Sequence, residues 1–405
     1  MPFEREQTAA SISSPLATDI FIAGGGPAGL ACAIALARKG HRVLVADGMK
    51  PPIDKACGEG LMPDTLAALR NLGIDLPALL DEDAAVPIRG IRFIDTFNAT
   101  TAQALFPRHA GEGRGIKRKT LHQLLLDRAI ELGVVFSWET VVRGFAGQGS
   151  DQTTVETNRG SFSARYVVGA DGHQSRIRVA AGLDRARITA QRVGLRQHFA
   201  IAPWTDFVEV YWSGRGQAYV TPVSATEICV AFVAHTKFAA GVPEALAHFP
   251  QLTARLEGAP PSDAPRGAVT YSRKLHRVTR GNVALLGDAS GSVDAVTGEG
   301  LSLAFRQAIS LADAIHTGDL ASYQRSHLRM RRMPHLMAST MLLLDRSPFL
   351  RTCSINLLAR IPWLFAKLLE IHIGHAGFSP RGGRAVLKPA HPSSVSTPVP
   401  RNAVP

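Results

Sequence analysis

Residues Asp19 to Asp47 read DIFIAGGGPAGLACAIALARKGHRVLVAD. An apolar run, a glycine cluster, an Ala- and Leu-rich stretch ending near Gly40 and a second apolar run spell strand, turn, helix and strand, a βαβ unit of about the thirty residues such a unit needs. Inside the turn, Gly24, Gly26 and Gly29 fit GxGxxG. Gly24 permits the tight turn, Gly26 lets a pyrophosphate approach the backbone, and Gly29 lets the helix lie close to the strand, so the helix N-terminus faces negative charge. Asp47 ends the second strand, where a carboxylate accepts hydrogen bonds from ribose hydroxyls. Strand, helix, second strand and terminal acid together argue for a dinucleotide site over a glycine turn with no ligand. The pattern by itself does not separate NAD from FAD.

The 405-residue chain is long enough for two or three structural units, and its 45% hydrophobic and 19% charged residues are the balance of an ordinary globular protein. Cys32, Cys57, Cys229 and Cys353 include no CxxC pair and have no His at metal-ligand spacing. Neither a disulfide framework nor a metal site is therefore expected, and a reducing cytoplasm is the natural compartment. The first residues lack the basic-then-apolar pattern of a secretory signal, and no stretch reaches the roughly 18 apolar residues of a membrane span. The net charge of +12 is uneven: from Ala321 onward ten Arg and two Lys face only Asp345 and Glu370, a net +10. Such a segment suits an anionic surface, or is simply a solvated basic helix.

Along the chain, RKTLHQLLLDRAIEL (118–132) has the period of a helix, and strands VVFSWETVVRGF, TTVETNR and ARYVVGADG follow it. From about Arg192 to Val278, RQHFAIA, DFVEVYWS, GQAYVTPV and EICVAFVAH alternate as an antiparallel sheet does. The expected fold is α/β (α+β): a Rossmann-like nucleotide-binding domain with a parallel sheet (18–85, 110–190 and 280–335), interleaved with an antiparallel-sheet substrate domain (86–109 and 191–279). C-terminal helices (336–387) complete it, between disordered ends at 1–17 and 388–405. The segment SPFLRTCSINLLARIPWLFAKLLEIHIGH would lie in a membrane interface, close over a lipid-like substrate, or pack as a bundle on the nucleotide layer.

VVGADGHQSRIR, around Asp171 and Gly172, and VALLGDASG, around Gly287 and Asp288, each end an apolar strand with a glycine and an acid. With the glycine loop and Arg118 in GIKRKTL, they resemble the motif set of flavoproteins with the p-hydroxybenzoate hydroxylase fold, over about residues 18 to 315. That superfamily includes flavin monooxygenases, geranylgeranyl reductases and flavin-dependent halogenases. The resemblance implies FAD, with Gly24, Gly26, Ala28 and Gly29 at its pyrophosphate, Asp47 at the adenosine ribose and Arg118 near the phosphates. It further implies that Val142 offers backbone to the adenine and that Gly287 and Asp288 hold the ribityl chain. The turn TGEGL, with Gly298, Gly300 and Leu301, would direct N–H groups at the flavin ring. Asp171 and Gly172 would serve both FAD and NAD(P)H, plain helix capping being the alternative for Asp171 and Asp288. No second GxGxxG is present, so NAD(P)H as reductant would bind transiently beside the flavin.

Within the superfamily, GDASG and Ala295–Val296 stand where the commonest hydroxylases read GDAAH and a proline. These features, and the loop DKACGEGLMP (54–63), look more like the geranylgeranyl reductase side. In that loop Gly58 and Gly60 would allow close approach to the cofactor, with Cys57 a packing residue or a redox participant. A halogenase is disfavoured: GQAYVTP replaces GWxWxIP, and VPIRGIRF offers Arg89 and Arg92 but no lysine. The combination of CGEGLMP, GQAYVTPV and GDASGSVDAVTGEGLSLAFRQA resembles flavoprotein hydroxylases associated with type III polyketide synthases. That implies NAD(P)H- and O2-dependent hydroxylation of an apolar phenol, alkylresorcinol-like, through a flavin hydroperoxide. Arg196, His198, Tyr211 and Tyr219 are the candidates to bind or deprotonate the phenol, with Arg196 and His198 on one strand face, and ordinary structural or solvent-facing polar residues are the competing reading. The alternatives are a flavin reductase of polyprenyl double bonds and a basic membrane- or nucleic-acid-binding protein with a vestigial flavin fold. No nucleic-acid partner is expected, and for the basic C-terminal segment peripheral membrane contact and a solvated basic helix both stand as readings.

Overall fold

The strand foreseen in DIFIA runs Leu16–Ala23 in the computed structural model, which describes residues 16–235 and 241–373. The ends expected to be disordered lie outside these residues, save that Leu16 and Ala17 already belong to the strand. It pairs in parallel with Val43–Asp47 on one side and Gly160–Gly169 on the other, and the sheet extends in parallel to Val135–Trp138 and Val283–Leu285. Thr279–Arg280 and an antiparallel flap, Val142–Ala146 with Thr153–Thr157, complete eight strands. Ile20, Phe21 and Ile22 are all fully buried, which is why this strand reads as a continuous apolar run and not as an alternation.

The helix Pro27–Ala37 begins with Pro at its first turn and is apolar on every side, because it is enclosed by the helices Arg118–Glu131 and Gly300–Thr317. Leu30, Ile34 and Leu36 have no solvent exposure, and burial of each contributes about 2 kcal/mol.

A second, seven-stranded sheet runs in the order Arg266–Leu275, Ala186–Phe199, Ile228–Ala234, Gly216–Pro222, Phe207–Ser213, Gly90–Asp95, Thr101–Leu105. Every neighbouring pair is antiparallel except Phe207–Ser213 with Gly90–Asp95. Its outer face packs on the short helices Val242–Leu246 and Pro250–Arg255 through Phe232, Phe249 and Leu252. Its inner face turns toward the nucleotide layer.

The helices after Thr317 correct one expectation. Leu320–Arg346 packs on the nucleotide layer and reaches the inner face of the second sheet, but Pro348–Arg360 and Pro362–Ile373 do not form a bundle on the nucleotide layer. They cover the antiparallel sheet at Gly90–Asp95 and Thr101–Leu105, where Ile355, Phe365 and Leu369 join Ile91, Ala102 and Trp212 in one apolar cluster. Arg351, counted among the surplus charges, is 3% exposed and donates to the Ser213 carbonyl at 3.2 Å. No helix among the described residues is long and apolar enough to cross a membrane.

Candidate active site

Three loops leave one edge of the parallel sheet side by side. Gly24 N–H donates to Ala46 O (2.7 Å), Ala170 N–H to Ala23 O (2.7 Å) and Leu286 N–H to Gly169 O (2.9 Å). The glycine turn, Asp171 and Gly287–Asp288 therefore start together, where doubly wound sheets bind nucleotides. A Cβ on Gly29 would sit 1.9 Å from the Gly24 carbonyl oxygen, and one on Gly24 (φ +112°) 2.3 Å from that of Ala170. Gly26, by contrast, faces open space. A Cβ on Gly287 would come within 2.9 Å of Ala28 Cβ, so the GD motif packs directly on the first turn of the glycine-loop helix.

The polar groups at this edge are only partly satisfied. Asp47 Oδ2 accepts the Gly25 N–H at 2.7 Å and Oδ1 the Met49 N–H at 2.8 Å, which fixes the carboxylate at the mouth of the loop with lone pairs to spare. Asp171 Oδ2 caps the short helix Arg176–Ala180 by accepting from Arg176 N (2.7 Å) and Ile177 N (3.2 Å), as the capping alternative foresaw; its Oδ1 is buried and has no partner among the described residues. The buried Nε of Arg118 is likewise without one. Asp288 is half exposed, 3.3 Å from His173 Nε2. Gly172 (φ +79°) lies beside Lys55, and Val142 is buried with its carbonyl accepting from Arg176 Nη1 at 3.4 Å.

Gly58, Gly298 and Gly300 have nothing within 4 Å of where a Cβ would be, and Gly300, followed by half-buried Leu301, opens the 18-residue helix Gly300–Thr317. An orphaned guanidinium nitrogen, an orphaned carboxylate oxygen, open glycine backbone and a helix N-terminus fit a dinucleotide of the FAD type.

Sequence reasoning missed the residues that hold these loops from behind. His122 is fully buried and donates from Nε2 to the Gly25 carbonyl at 2.9 Å; burial lowers its pKa, which keeps the ring neutral. On the helix Leu320–Arg346, Tyr323 donates to the Leu285 carbonyl (2.7 Å), His327 Nε2 meets Ser290 Oγ (2.9 Å) and Arg331 donates to the carbonyls of Ser290 and Arg273. These three clamp GDASG. Burial first, then the Arg331 charge, pushes the His327 pKa down to about 3. Their spacing of four residues was the available signal: polar side chains on one helical stripe.

The substrate sheet separates the four residues expected to meet a phenol. Arg196 pairs with Ala231, Ala231 with Tyr219 and Tyr219 with Val210, so these share the inner face, together with His198 two residues on from Arg196. Tyr211 does not. It points to the outer face, packs with Phe232 and Phe249, and donates to Glu209 Oε2 at 2.8 Å. The strand period, applied to Arg196 and His198 alone, did not relate Tyr211 to Tyr219 because that needs the hairpin register. Tyr219 is on the right face, but its hydroxyl donates to the Val296 carbonyl at 2.7 Å and burial raises its pKa, so it supports the turn before Gly298 and does not serve as a proton acceptor.

Arg196 and His198 are neither isolated nor solvent-facing. Arg196 Nη2 reaches both oxygens of Asp54 at 3.0 Å, and Nη1 reaches Asp263 Oδ2 at 2.6 Å. His198 meets Glu59 Oε2 at 2.6 Å and Asp263 Oδ2 at 2.9 Å. The loop DKACGEGLMP is thus docked on the inner face of the sheet. Cys57 is half-buried in its turn: Sγ accepts from Glu59 N–H (3.4 Å) and its carbonyl takes the Cys229 thiol (3.6 Å). The fold also brings Glu59, His198 and Cys229 within 4.8 Å of one another, a metal-like set no spacing in the sequence announces. The Arg196 guanidinium 2.7 Å from His198 Nδ1 makes this a charge-paired cluster, hostile to a dication.

A second buried cluster fixes the turn that leads into Gly298. Arg192 is 3.2 Å from Asp294 Oδ1 and 2.6 Å from Asp345 Oδ2, and Asp294 accepts the Val296 N–H at 3.1 Å.

The family described as FAD binding domain matches residues 17–317. A 2-heptyl-3-hydroxy-4(1H)-quinolone synthase of Mycobacteroides abscessus is 29% identical over 319 residues, 73% of this chain and 80% of that protein. A menaquinone reductase of Mycolicibacterium smegmatis is 48% identical over 56 residues, 14% of each chain. Among solved structures, p-nitrophenol 4-monooxygenase of Pseudomonas putida superposes with a TM-score of 0.74 at 19% identity, over 90% of this chain and 97% of that one, a likeness of fold.

Proposed function

Because this chain belongs to the FAD-binding-domain family of hydroxylases and monooxygenases, and is an FAD-dependent oxidoreductase, we propose that it uses NAD(P)H and O2 to hydroxylate an apolar phenol of the alkylresorcinol kind. The observation that carries the substrate class is the wall next to the flavin-side turn. Val296, from that turn, packs in one cluster with Met62, Phe93, Val210, Trp212, Met341 and Phe365. The hydroxyl of Tyr219, which borders the cluster, is already committed to the Val296 carbonyl. Such a wall excludes water and accepts an alkyl chain or an aromatic ring.

Bound FAD supplies electron transfer and O2 activation. The chain supplies binding through Gly26, Asp47 and Arg118, orientation of the turn through Arg192 and Tyr219, and a proton-holding pair in Arg196 and His198. Purified holoprotein should oxidise NAD(P)H faster in air with an alkylresorcinol than without, and place one oxygen atom from labelled O2 in the product. A second reading, reduction of polyprenyl double bonds, draws support from the 56-residue likeness to menaquinone reductase. Anaerobic saturation of a polyprenyl alkene, with no oxygenated phenol formed in air, would decide for that one.

Exposed Phe349 (74%), Leu357 (48%) and Trp363 (70%), beside Arg346, Arg360 and Lys367, favour peripheral contact with an anionic bilayer as the source of such substrates. Co-sedimentation with phosphatidylglycerol vesicles, lost in Phe349→Ser/Trp363→Ser, is the expected result.

A further inference from the structure

The docking of DKACGEGLMP leaves a continuous chain of polar contacts from the interior to the edge of the molecule. Glu59 is 3% exposed and held in left-handed backbone (φ +59°), a conformation unfavourable for a non-glycine residue. It aims one carboxylate oxygen at the Arg118 N–H (2.9 Å) and the other at His198 Nε2 (2.6 Å). His198 Nδ1 lies 2.9 Å from Asp263 Oδ2, and the Asp263 side chain is 30% exposed.

Arg196 makes this chain adaptable. Its Nη1 is 2.7 Å from His198 Nδ1 and 2.6 Å from Asp263 Oδ2. With His198 charged, both ring N–H groups donate to carboxylates and Nη1 donates to Asp263. With His198 protonated on Nε2 alone, Nη1 donates to the Nδ1 lone pair instead. In both states each ring nitrogen of His198 and Nη1 of Arg196 keep a partner, so the cost that pins most buried imidazoles to one form is absent at the ring.

Around the ring stand Glu59 and Asp54 from the loop, Arg196 from its own strand, Cys229 from the next strand, Asp263, Arg266 at 3.6 Å from Asp54, and Glu227 paired with Lys117. Burial opposes charge on His198, but Glu59 and Asp263 outweigh it and raise its pKa. Burial also opposes charge on Asp263, and the His198 and Arg196 contacts outweigh that and lower its pKa.

We propose that Asp263, His198 and Glu59 form a proton relay from solvent to the loop beside the flavin turn. It rests on the oxygen-using reading, in which NAD(P)H + H⁺ + O2 + ArH gives NAD(P)⁺ + ArOH + H2O and a site closed to water must import one proton. The proton passes from Asp263 Oδ2 to His198 Nδ1 and the Nε2 proton passes to Glu59 Oε2, and exchange of the ring protons with water between turnovers restores the first tautomer.

The test needs neither substrate nor nicotinamide. Dithionite-reduced holoprotein reoxidised in air follows FADH⁻ + H⁺ + O2 → FAD + H2O2, which also takes up one proton. Asp263→Ala should slow this step about tenfold or more above pH 7, with FAD content intact and formate restoring the rate. His198→Gln should slow it without formate rescue. Asp54→Asn, which loosens the same loop outside the relay, should lower stability and leave the pH profile unchanged. Ring ¹⁵N signals of His198, read in apoprotein, should show its pKa falling in Asp263→Ala. Matching pH profiles for wild type, Asp263→Ala and Asp54→Asn, or no formate rescue, would overturn the relay. Rescue in a protein that oxygenates no phenol would keep the relay and overturn the substrate reading.

Discussion

The two layers of this molecule hold their halves of the site by opposite means. In the nucleotide layer the decisive features are atoms that are missing: Gly24 and Gly29 leave no room for a Cβ, and Gly26 leaves room for a ligand. In the antiparallel layer the decisive features are charges that meet across long stretches of chain, Arg196 with Asp54 and Asp263, and Arg192 with Asp294 and Asp345. Backbone geometry tolerates no substitution but needs no partner. A buried ion pair tolerates none of its partners being lost.

The largest effect should follow where the first principle is broken. Gly29→Ala places a methyl group 1.9 Å from a carbonyl oxygen, and no FAD-loaded protein should be recovered on purification. Next, Asp345→Ala leaves the Arg192 guanidinium, 1% exposed, with Asp294 but without its shorter carboxylate contact, and should cost about 2 kcal/mol in urea unfolding.

Acid sharpens the comparison through His327. Its folded pKa of about 3 lies below the 6.5 of the free side chain, so its contribution is complete above pH 6.5 and is lost progressively as pH falls toward 3. The Tm of wild type should therefore drop more steeply across that window than that of His327→Gln.

Arg118→Met removes the orphaned donor without disturbing the glycines, and FAD affinity of the apoprotein, read by fluorescence quenching, should fall about tenfold. Tyr219→Phe deletes one neutral hydrogen bond, to Val296, and should cost about 1 kcal/mol with FAD retained.

The same contrast explains what could be read in advance. The glycine loop, Asp47 and the helix from Arg118 were legible because each is a local pattern: neighbours in sequence fix one another's geometry. GDASG was legible as a motif, yet its clamp of Tyr323, His327 and Arg331 was not connected to it, since more than thirty residues separate the two. DKACGEGLMP drew attention to Cys57, whereas Glu59 in the same loop makes the contacts that dock it.

By itself the sequence determined the βαβ unit, the dinucleotide chemistry of its turn and the presence of a second, antiparallel layer, because period and glycine spacing act over a few residues. Only the tertiary structure decided that Tyr211 leaves the site, that Tyr219 supports a turn, and that Arg196 and His198 join Asp54, Glu59 and Asp263. Strand register and loop docking set which distant charges share one low-dielectric space, and there a charge persists only with its partner in place.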